Sequence, residues 1–178
     1  MPLRQSLPAV SLLLVVLLAS CRSTNTTEDW VERRDEVIDL LNGLTDDLSA
    51  RGPEAWPDYF LDDASFFMAS EGAMLFPDLA SAKAGCAELD ARVQSIDLDF
   101  DEVRIQWIDP THAIMSAEYE ETLVDTSGTT KEMEGFVTAL IAATSAGWRF
   151  QHLHWSSPLE ADSDGDADAG SDADDTDG

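Results

Sequence analysis

The sequence predicts a single α+β domain in which N-terminal helices pack on a strongly curved, mainly antiparallel sheet. The chain has 178 residues, enough for one domain of ordinary size. An apolar stripe at helical spacing precedes residue 50, whereas four β-like stretches joined by turn sequences follow residue 95. Helices followed by a run of antiparallel strands are typical of the α+β class.

The first predicted element is a helix over residues 28–48. Thr27 is in position to serve as its N-cap, and Gly52-Pro53 ends it. The residues that form one apolar stripe along this helix are Trp30, Val37, Ile38, Leu41, Leu44 and Leu48.

Three shorter elements are predicted before the main sheet. Residues 53–59 form a short helix or turn, and the apolar run 65–69 suits a short strand. Residues 78–93 are rich in Ala and Leu and predict a further helix despite Gly85.

The main sheet is predicted from strands 96–108, 113–124, 133–144 and 148–156. Turn residues such as Asp109-Pro110 and Ala146-Gly147 lie between them. Residues 136–143 are apolar on both alternating sets of positions. We therefore expect one face of the sheet to contact the helices and the other to contact a second copy, forming a homodimer.

The first twenty residues have the layout of a secretory signal peptide. Arg4 precedes an apolar run over 9–18, and small residues stand before Cys21. The run is shorter than the roughly 18–20 residues that a membrane-spanning helix needs. The alternative to a lipid-anchored protein is an ordinary secreted protein, in which Cys21 carries no lipid.

Leu18-Ala19-Ser20-Cys21 resembles the bacterial lipobox, in which cleavage precedes a lipid-modified cysteine. The resemblance implies that Cys21 carries a diacylglyceryl group, which gives stable membrane attachment. Residues 21–27 are then the lipidated cysteine and a polar tether, and the protein lies in the cell envelope. The absence of Asp after Cys21 implies the outer membrane in a Gram-negative cell.

Cys86 is the second cysteine of the chain. If Cys21 carries lipid, no intramolecular disulfide can form in the mature chain. We interpret Cys86 as a buried small apolar residue rather than a nucleophile.

The composition is strongly acidic, with 36 Asp and Glu against 10 Lys and Arg and a formal charge of −26. This balance argues against nucleic acid as a partner, because phosphates require clusters of basic residues. Residues 160–178 contain 9 acids and no base. This segment has no apolar residue larger than Ala, so it predicts a disordered tail and domain limits of 28–159.

Several segments together resemble the SnoaL-like branch of the nuclear transport factor 2 superfamily, which includes the association domain of calcium/calmodulin-dependent kinases. They are the ending Gly-Trp-Arg-Phe-Gln-His-Leu-His-Trp-Ser over 147–156, the segment Tyr-Phe-Leu-Asp-Asp-Ala over 59–64, and residues 107–122. The resemblance spans 28–157 and implies a cone, in which a bent sheet wraps a long first helix and encloses a pocket. It does not imply one activity, since members include isomerases, cyclases, dehydratases and scaffolds.

His152 and His154 are the first candidate site residues. Strand periodicity places both rings on one face together with Trp148 and Phe150. On a pocket-lining face they would form a general base or a hydrogen-bonding pair for a ligand. The alternative is that they only pack the sheet.

Tyr119, Glu121 and Trp107 are the other candidate ligand-binding residues. Tyr119 and Glu121 share a face of their strand, and Trp107 ends the preceding one. The alternative is that Glu118, Glu120 and Glu121 form a solvated edge. No metal or cofactor is predicted, because the possible additional ligands of a His-x-His site, such as His112, have no recognisable spacing.

Three functions are compatible with these residues. The preferred one is a membrane-tethered domain that binds a small, partly apolar ligand without established catalysis. The second is an isomerase, dehydratase or hydrolase in which His152 or His154 is the base. The third is a structural domain that dimerises through its sheet.

Overall fold

A computed structural model describes residues 27–158 of the chain. The predicted signal peptide, the lipid site at Cys21, most of the tether and the acidic tail from residue 160 lie outside the described residues. Between residues 27 and 158, no helix is long and apolar enough to cross a membrane.

The predicted elements are all present, and one further strand is added. In chain order they are α1 (Thr27–Arg51), a 3₁₀ helix (Pro53–Tyr59), β1 (Phe67–Ser70), β2 (Ala73–Phe76), α2 (Leu79–Asp90), β3 (Val93–Asp109), β4 (His112–Asp125), β5 (Thr130–Thr144) and β6 (Gly147–Ser156). The strand that the sequence pattern did not indicate is β2. It pairs with β1 through a two-residue turn in which Glu71 and Gly72 have φ angles of 50° and 79°, as tight hairpins require.

Helix α1 lies with its apolar stripe against the sheet. Its residues Val37, Leu41, Leu44 and Leu48 are buried, as is the neighbouring Leu40. The helix ends because Gly52 takes a φ angle of 78° while its N–H donates to the carbonyl of Leu48 at 2.8 Å. This is the usual way for a glycine to close the last helical turn.

The six strands form one mixed sheet in the order β2-β1-β6-β5-β4-β3. All neighbouring pairs are antiparallel except β1 and β6, which are parallel. The mainly antiparallel α+β architecture is therefore confirmed. The parallel pair could not be inferred from the order of the strands, since β1 comes from the region before α2 and joins the far side of β6.

A β-bulge interrupts β6 after its fourth residue. Leu140 of β5 pairs with His152, whereas the next residue, Ile141, pairs with Phe150. Gln151 is the extra residue, and its side-chain Nε2 donates to Ser65 Oγ at 2.7 Å. An inserted residue of this kind exchanges the two faces of the strand beyond it.

The bulge overturns the prediction that His152 and His154 share a face with Trp148 and Phe150. Trp148 and Phe150 are buried on the inner face, and beyond the bulge the inner positions belong to Leu153 and Trp155. The two histidines consequently point to the outer face. The prediction assumed an uninterrupted alternation along the strand.

Candidate ligand-binding cavity

A cavity of about 750 Å³ lies between α2, the β1–β2 hairpin and the inner face of the sheet near the ends of β4, β5 and β6. This volume is within the range of about 300–1,000 Å³ that is usual for small-molecule pockets. Its apolar lining includes Trp56, Met68, Phe76, Cys86, Met133 and Trp155. The fold therefore leaves room for a small molecule beside the main core.

Aromatic rings form one wall of the cavity. The ring of Trp155 meets Trp56 edge-on at 5.7 Å between centroids with an interplanar angle of 86°, and meets Tyr119 at 4.7 Å and 79°. The indole Nε1 atoms of Trp56 and Trp155 are buried and have no hydrogen-bond partner among the described residues. Buried donors usually have a partner, and these two N–H groups are exceptions.

Glu121 places a carboxylate in this largely apolar cavity. Its side chain is only 9% exposed, although it stands on β4 between the exposed residues Glu120 and Thr122. Burial raises the pKa of Glu121, and the charge of Lys131 opposes this increase. No hydrogen bond to its carboxylate contributes within residues 27–158, so the charged form is poorly compensated.

Polar groups connect the rim of the cavity to the end of β6. The hydroxyls of Tyr119 and Ser157 are 3.3 Å apart, and the backbone N–H of Ser157 donates to Glu71 Oε1 at 2.6 Å. Glu71 adopts a left-handed conformation, which is unfavourable for a residue with a side chain. The hairpin turn is thus held against the chain that leaves β6.

Helix α2 covers the opposite side of the cavity. It starts with a capping box, in which Ser81 N–H donates to Asp78 Oδ1 at 2.8 Å and Asp78 N–H donates to Ser81 Oγ at 3.3 Å. Cys86 on this helix is 2% exposed, and burial raises the pKa of its thiol to about 11. The interpretation of Cys86 as a buried apolar residue is therefore confirmed.

Two of the five predicted ligand-binding residues line the cavity. Tyr119 and Glu121 do so together, while Glu118 and Glu120 of the same strand are exposed. Two interpretations were left open for this acidic run, a role in lining the cavity and a solvated edge. The first holds for Glu121, and the second holds for Glu118 and Glu120. The alternation of β4 separates them.

The other three predicted residues lie elsewhere. Trp107 packs between Trp30 and Trp148, with centroid distances of 5.4 and 5.7 Å, and does not line the cavity. His152 stacks on Phe67 at 4.1 Å on the outer face of the sheet, and His154 is exposed. A general-base role for either imidazole thus has no support from the geometry of the cavity.

No metal centre is formed by the described part of the chain. Within residues 27–158, no group of three or more His, Cys, Asp or Glu side chains could hold a metal ion. His112 instead lies 3.2 Å from Asp109 Oδ2, in the turn between β3 and β4. Any ligand binding in the cavity therefore depends on its aromatic rings and on its one buried carboxylate, that of Glu121.

Sequence reasoning missed Trp56 and Trp155, the two indoles of the aromatic wall. Trp155 would have been found if the bulge at Gln151 had been recognised, because an unbroken alternation places Trp155 on the face opposite to Trp148 and Phe150. Trp56 lies in the 3₁₀ helix, where no periodicity indicates which side faces the sheet. Its signal was the local sequence Pro-Glu-Ala-Trp-Pro over 53–57, a compact apolar turn.

Comparisons with known proteins agree on the fold. A family model described as a SnoaL-like domain matches residues 37–160. A search of curated proteins finds no significant match.

Among solved structures, a nuclear transport factor 2-like superfamily protein from Salmonella enterica serovar Typhimurium has a TM-score of 0.64 at 15% identity, covering 76% of this chain and 98% of that one. A protein provisionally named scytalone dehydratase, from Novosphingobium aromaticivorans, has a TM-score of 0.67 at 10% identity, covering 75% and 89%. A protein provisionally named calcium/calmodulin-dependent protein kinase II association domain, from Xanthomonas campestris, has a TM-score of 0.57 at 15% identity, covering 71% and 88%. At these identities the similarity concerns the fold alone.

Proposed function

Because the chain belongs to the SnoaL-like domain family, within the nuclear transport factor 2-like superfamily, we propose that its cavity binds a small, partly apolar ligand. The observation that carries this proposal is the cavity of about 750 Å³. It combines an apolar wall with a few polar groups, among them the Glu121 carboxylate and the Tyr119 hydroxyl. Ligand sites commonly have this composition.

A neutral, environment-sensitive dye tests whether the cavity accepts such molecules. Prodan should bind the full chain with a stoichiometry of one and a blue-shifted emission, because an apolar cavity excludes water from the dye. The variant Met133→Trp replaces a flexible side chain of the cavity lining with a bulky indole ring. It should raise the Kd for Prodan by about tenfold or more. Fluorescence titration measures both values.

The matched control is Met74→Trp. Met74 is 57% exposed on the hairpin and does not line the cavity, so this variant should bind Prodan as the unmodified chain does. Equal binding by the two variants would place the dye outside the cavity, and no binding by the unmodified chain would contradict the proposal.

An enzyme of the isomerase or dehydratase type is the second candidate. It is favoured by the burial of Glu121, which raises the pKa of its carboxyl and brings its proton affinity closer to that required of an acid or base near neutral pH. The base of this alternative is then Glu121 rather than a histidine. Mass spectrometry of carbonyl and hydroxy compounds incubated with the protein tests this alternative. If every bound compound is recovered unchanged, the enzymatic alternative is contradicted and only the binding function remains.

We also propose that a lipid on Cys21 holds the domain at a membrane of the cell envelope, in the outer membrane if the cell is Gram-negative. Support comes from the leader and from the lipobox-like segment ending at Cys21. The polar residues that follow would act as a tether between the membrane and α1.

Fractionation of a Gram-negative host that makes the full chain tests this anchor. The unmodified protein should be recovered in the membrane fraction with a mass increased by a diacylglyceryl group, because two acyl chains give stable attachment. The variant Cys21→Ser should appear in the aqueous fraction, while the control Cys86→Ala should remain with the membrane. Membrane recovery of Cys21→Ser would contradict lipid anchoring.

A homodimer through the outer face of the sheet remains our third proposal for this chain. Phe136 and Ile114 are 56% and 40% exposed on that face, and the ring of His152 lies there with Phe67. Exposed apolar side chains on one sheet face are typical of a protein contact.

A further inference from the structure

The charge of the cavity restricts the ligands that it can accept. Its lining includes four carboxylates, those of Glu71, Glu121, Glu132 and Glu134, and a single base, Lys131. Glu121 is the buried member of this set, whereas the other three acids are exposed at the rim. Anionic ligands are therefore repelled, and a cation is attracted both at the rim and inside.

The buried carboxylate of Glu121 makes no salt bridge with the described residues. Burial disfavours the charged form of Glu121, and the charge of Lys131 only opposes part of this effect. Lys131 is itself exposed, so its ammonium group retains its water. A cationic group inside the cavity would compensate Glu121 directly and at low dielectric, where a charge pair is strong.

The aromatic wall is suited to the same cation. The rings of Trp56 and Tyr119 each stand nearly perpendicular to Trp155, so the wall presents ring planes in different orientations. Aromatic faces attract ammonium groups, most strongly those of Trp. An alkylated ammonium also has the apolar methyl groups that the surrounding side chains, such as Met68 and Met133, can contact.

We propose that the cavity selects an organic ammonium compound, with its cationic group between the Glu121 carboxylate and the rings of Trp56, Tyr119 and Trp155. This inference rests on the proposed binding function and specifies the chemical class of the ligand. It assigns the selection of charge to Glu121 together with the aromatic rings.

Calorimetric titration with choline and with 3,3-dimethylbutan-1-ol tests the proposal on the full chain. The two molecules have nearly the same shape and the same hydroxyl, but the second has carbon in place of the charged nitrogen. Choline should bind at least about tenfold more tightly, as expected for cation–π contacts and a buried charge pair.

The variant Glu121→Gln should weaken this preference by about threefold or more, because it keeps the shape of the side chain and removes its charge while the aromatic rings remain. The Kd for 3,3-dimethylbutan-1-ol should stay within about twofold. The matched control is Glu118→Gln. It removes an exposed charge from the same strand, at a position that does not line this cavity, and should retain the preference for choline. A thermal melt of each variant confirms that it is folded.

The outcomes separate this inference from the function on which it rests. Equal affinity for the two probes, tighter binding of the neutral one, or an undiminished preference in Glu121→Gln would overturn the ammonium proposal. If neither probe binds while Prodan does, the cavity still binds ligands and only the ammonium proposal is overturned. If Prodan also fails to bind, the binding function itself is contradicted.

Discussion

Replacing Gly135 by valine should lower the free energy of unfolding by about 3 kcal/mol, near the upper end of the effects of overpacking. A Cβ atom at this position would overlap the main-chain carbonyl oxygen of Ser156 and lie 3.0 Å from Tyr119 Cε1. The obstacle at Ser156 is backbone, so relief requires β6 to move away from β5. Urea denaturation followed by tryptophan fluorescence measures the change.

Gly43→Ala is the control for this prediction. A Cβ atom there would lie 3.2 Å from Tyr59 Oη, the end of a side chain that can shift, and alanine favours a helix over glycine by about 1 kcal/mol. The stability of this variant should remain within about 1 kcal/mol of the unmodified chain. Equal stability of Gly135→Val and the unmodified chain would refute the close approach of β5 and β6.

Replacing Trp155 by alanine should lower the free energy of unfolding by about 4 kcal/mol, as for other buried tryptophans. Trp155 is 5% exposed and contacts the rings of Trp56, Phe100 and Tyr119. Its removal leaves a void that joins the cavity. For a domain of this size the Tm should fall by roughly 10–20 °C, which calorimetry measures.

Trp107→Ala is the matched tryptophan control. Trp107 is only half-buried and packs on Trp30 and Trp148, away from the cavity. It should reduce stability by about 2 kcal/mol and leave the binding of Prodan unchanged. If this variant loses more stability than Trp155→Ala, then Trp155 is not the centre of the aromatic packing.

The position of the histidines changes the choice between the possible chemistries. With His152 on Phe67 and His154 exposed, neither imidazole supplies a base to the cavity. Among the described residues, Glu121 supplies the one buried carboxylate that lines it. Binding and proton-transfer hypotheses consequently depend on the same side chain, and Glu121→Gln is informative for both.

Local patterns in the sequence were enough to predict the fold class. The stripe from Val37 to Leu48 identified α1, because a helix repeats every 3.6 residues whatever it packs against. Alternation and turn residues identified β3 to β6, and the pairing of Tyr119 with Glu121 on one face also followed from the period of two. Each of these features depends only on neighbours in the chain.

The positions of His152, His154 and Trp155 were decided by the tertiary structure. Phe150 and His152 pair with consecutive residues of β5, so Gln151 is an extra residue in β6. In addition, β1 pairs with β6 in parallel although it comes from a distant part of the chain. A bulge is a property of two paired strands, and the sequence of one strand does not contain it. The burial of Glu121 also depends on segments that are distant in the sequence. Helix α2 and the β1–β2 hairpin enclose the end of the sheet where its carboxylate lies.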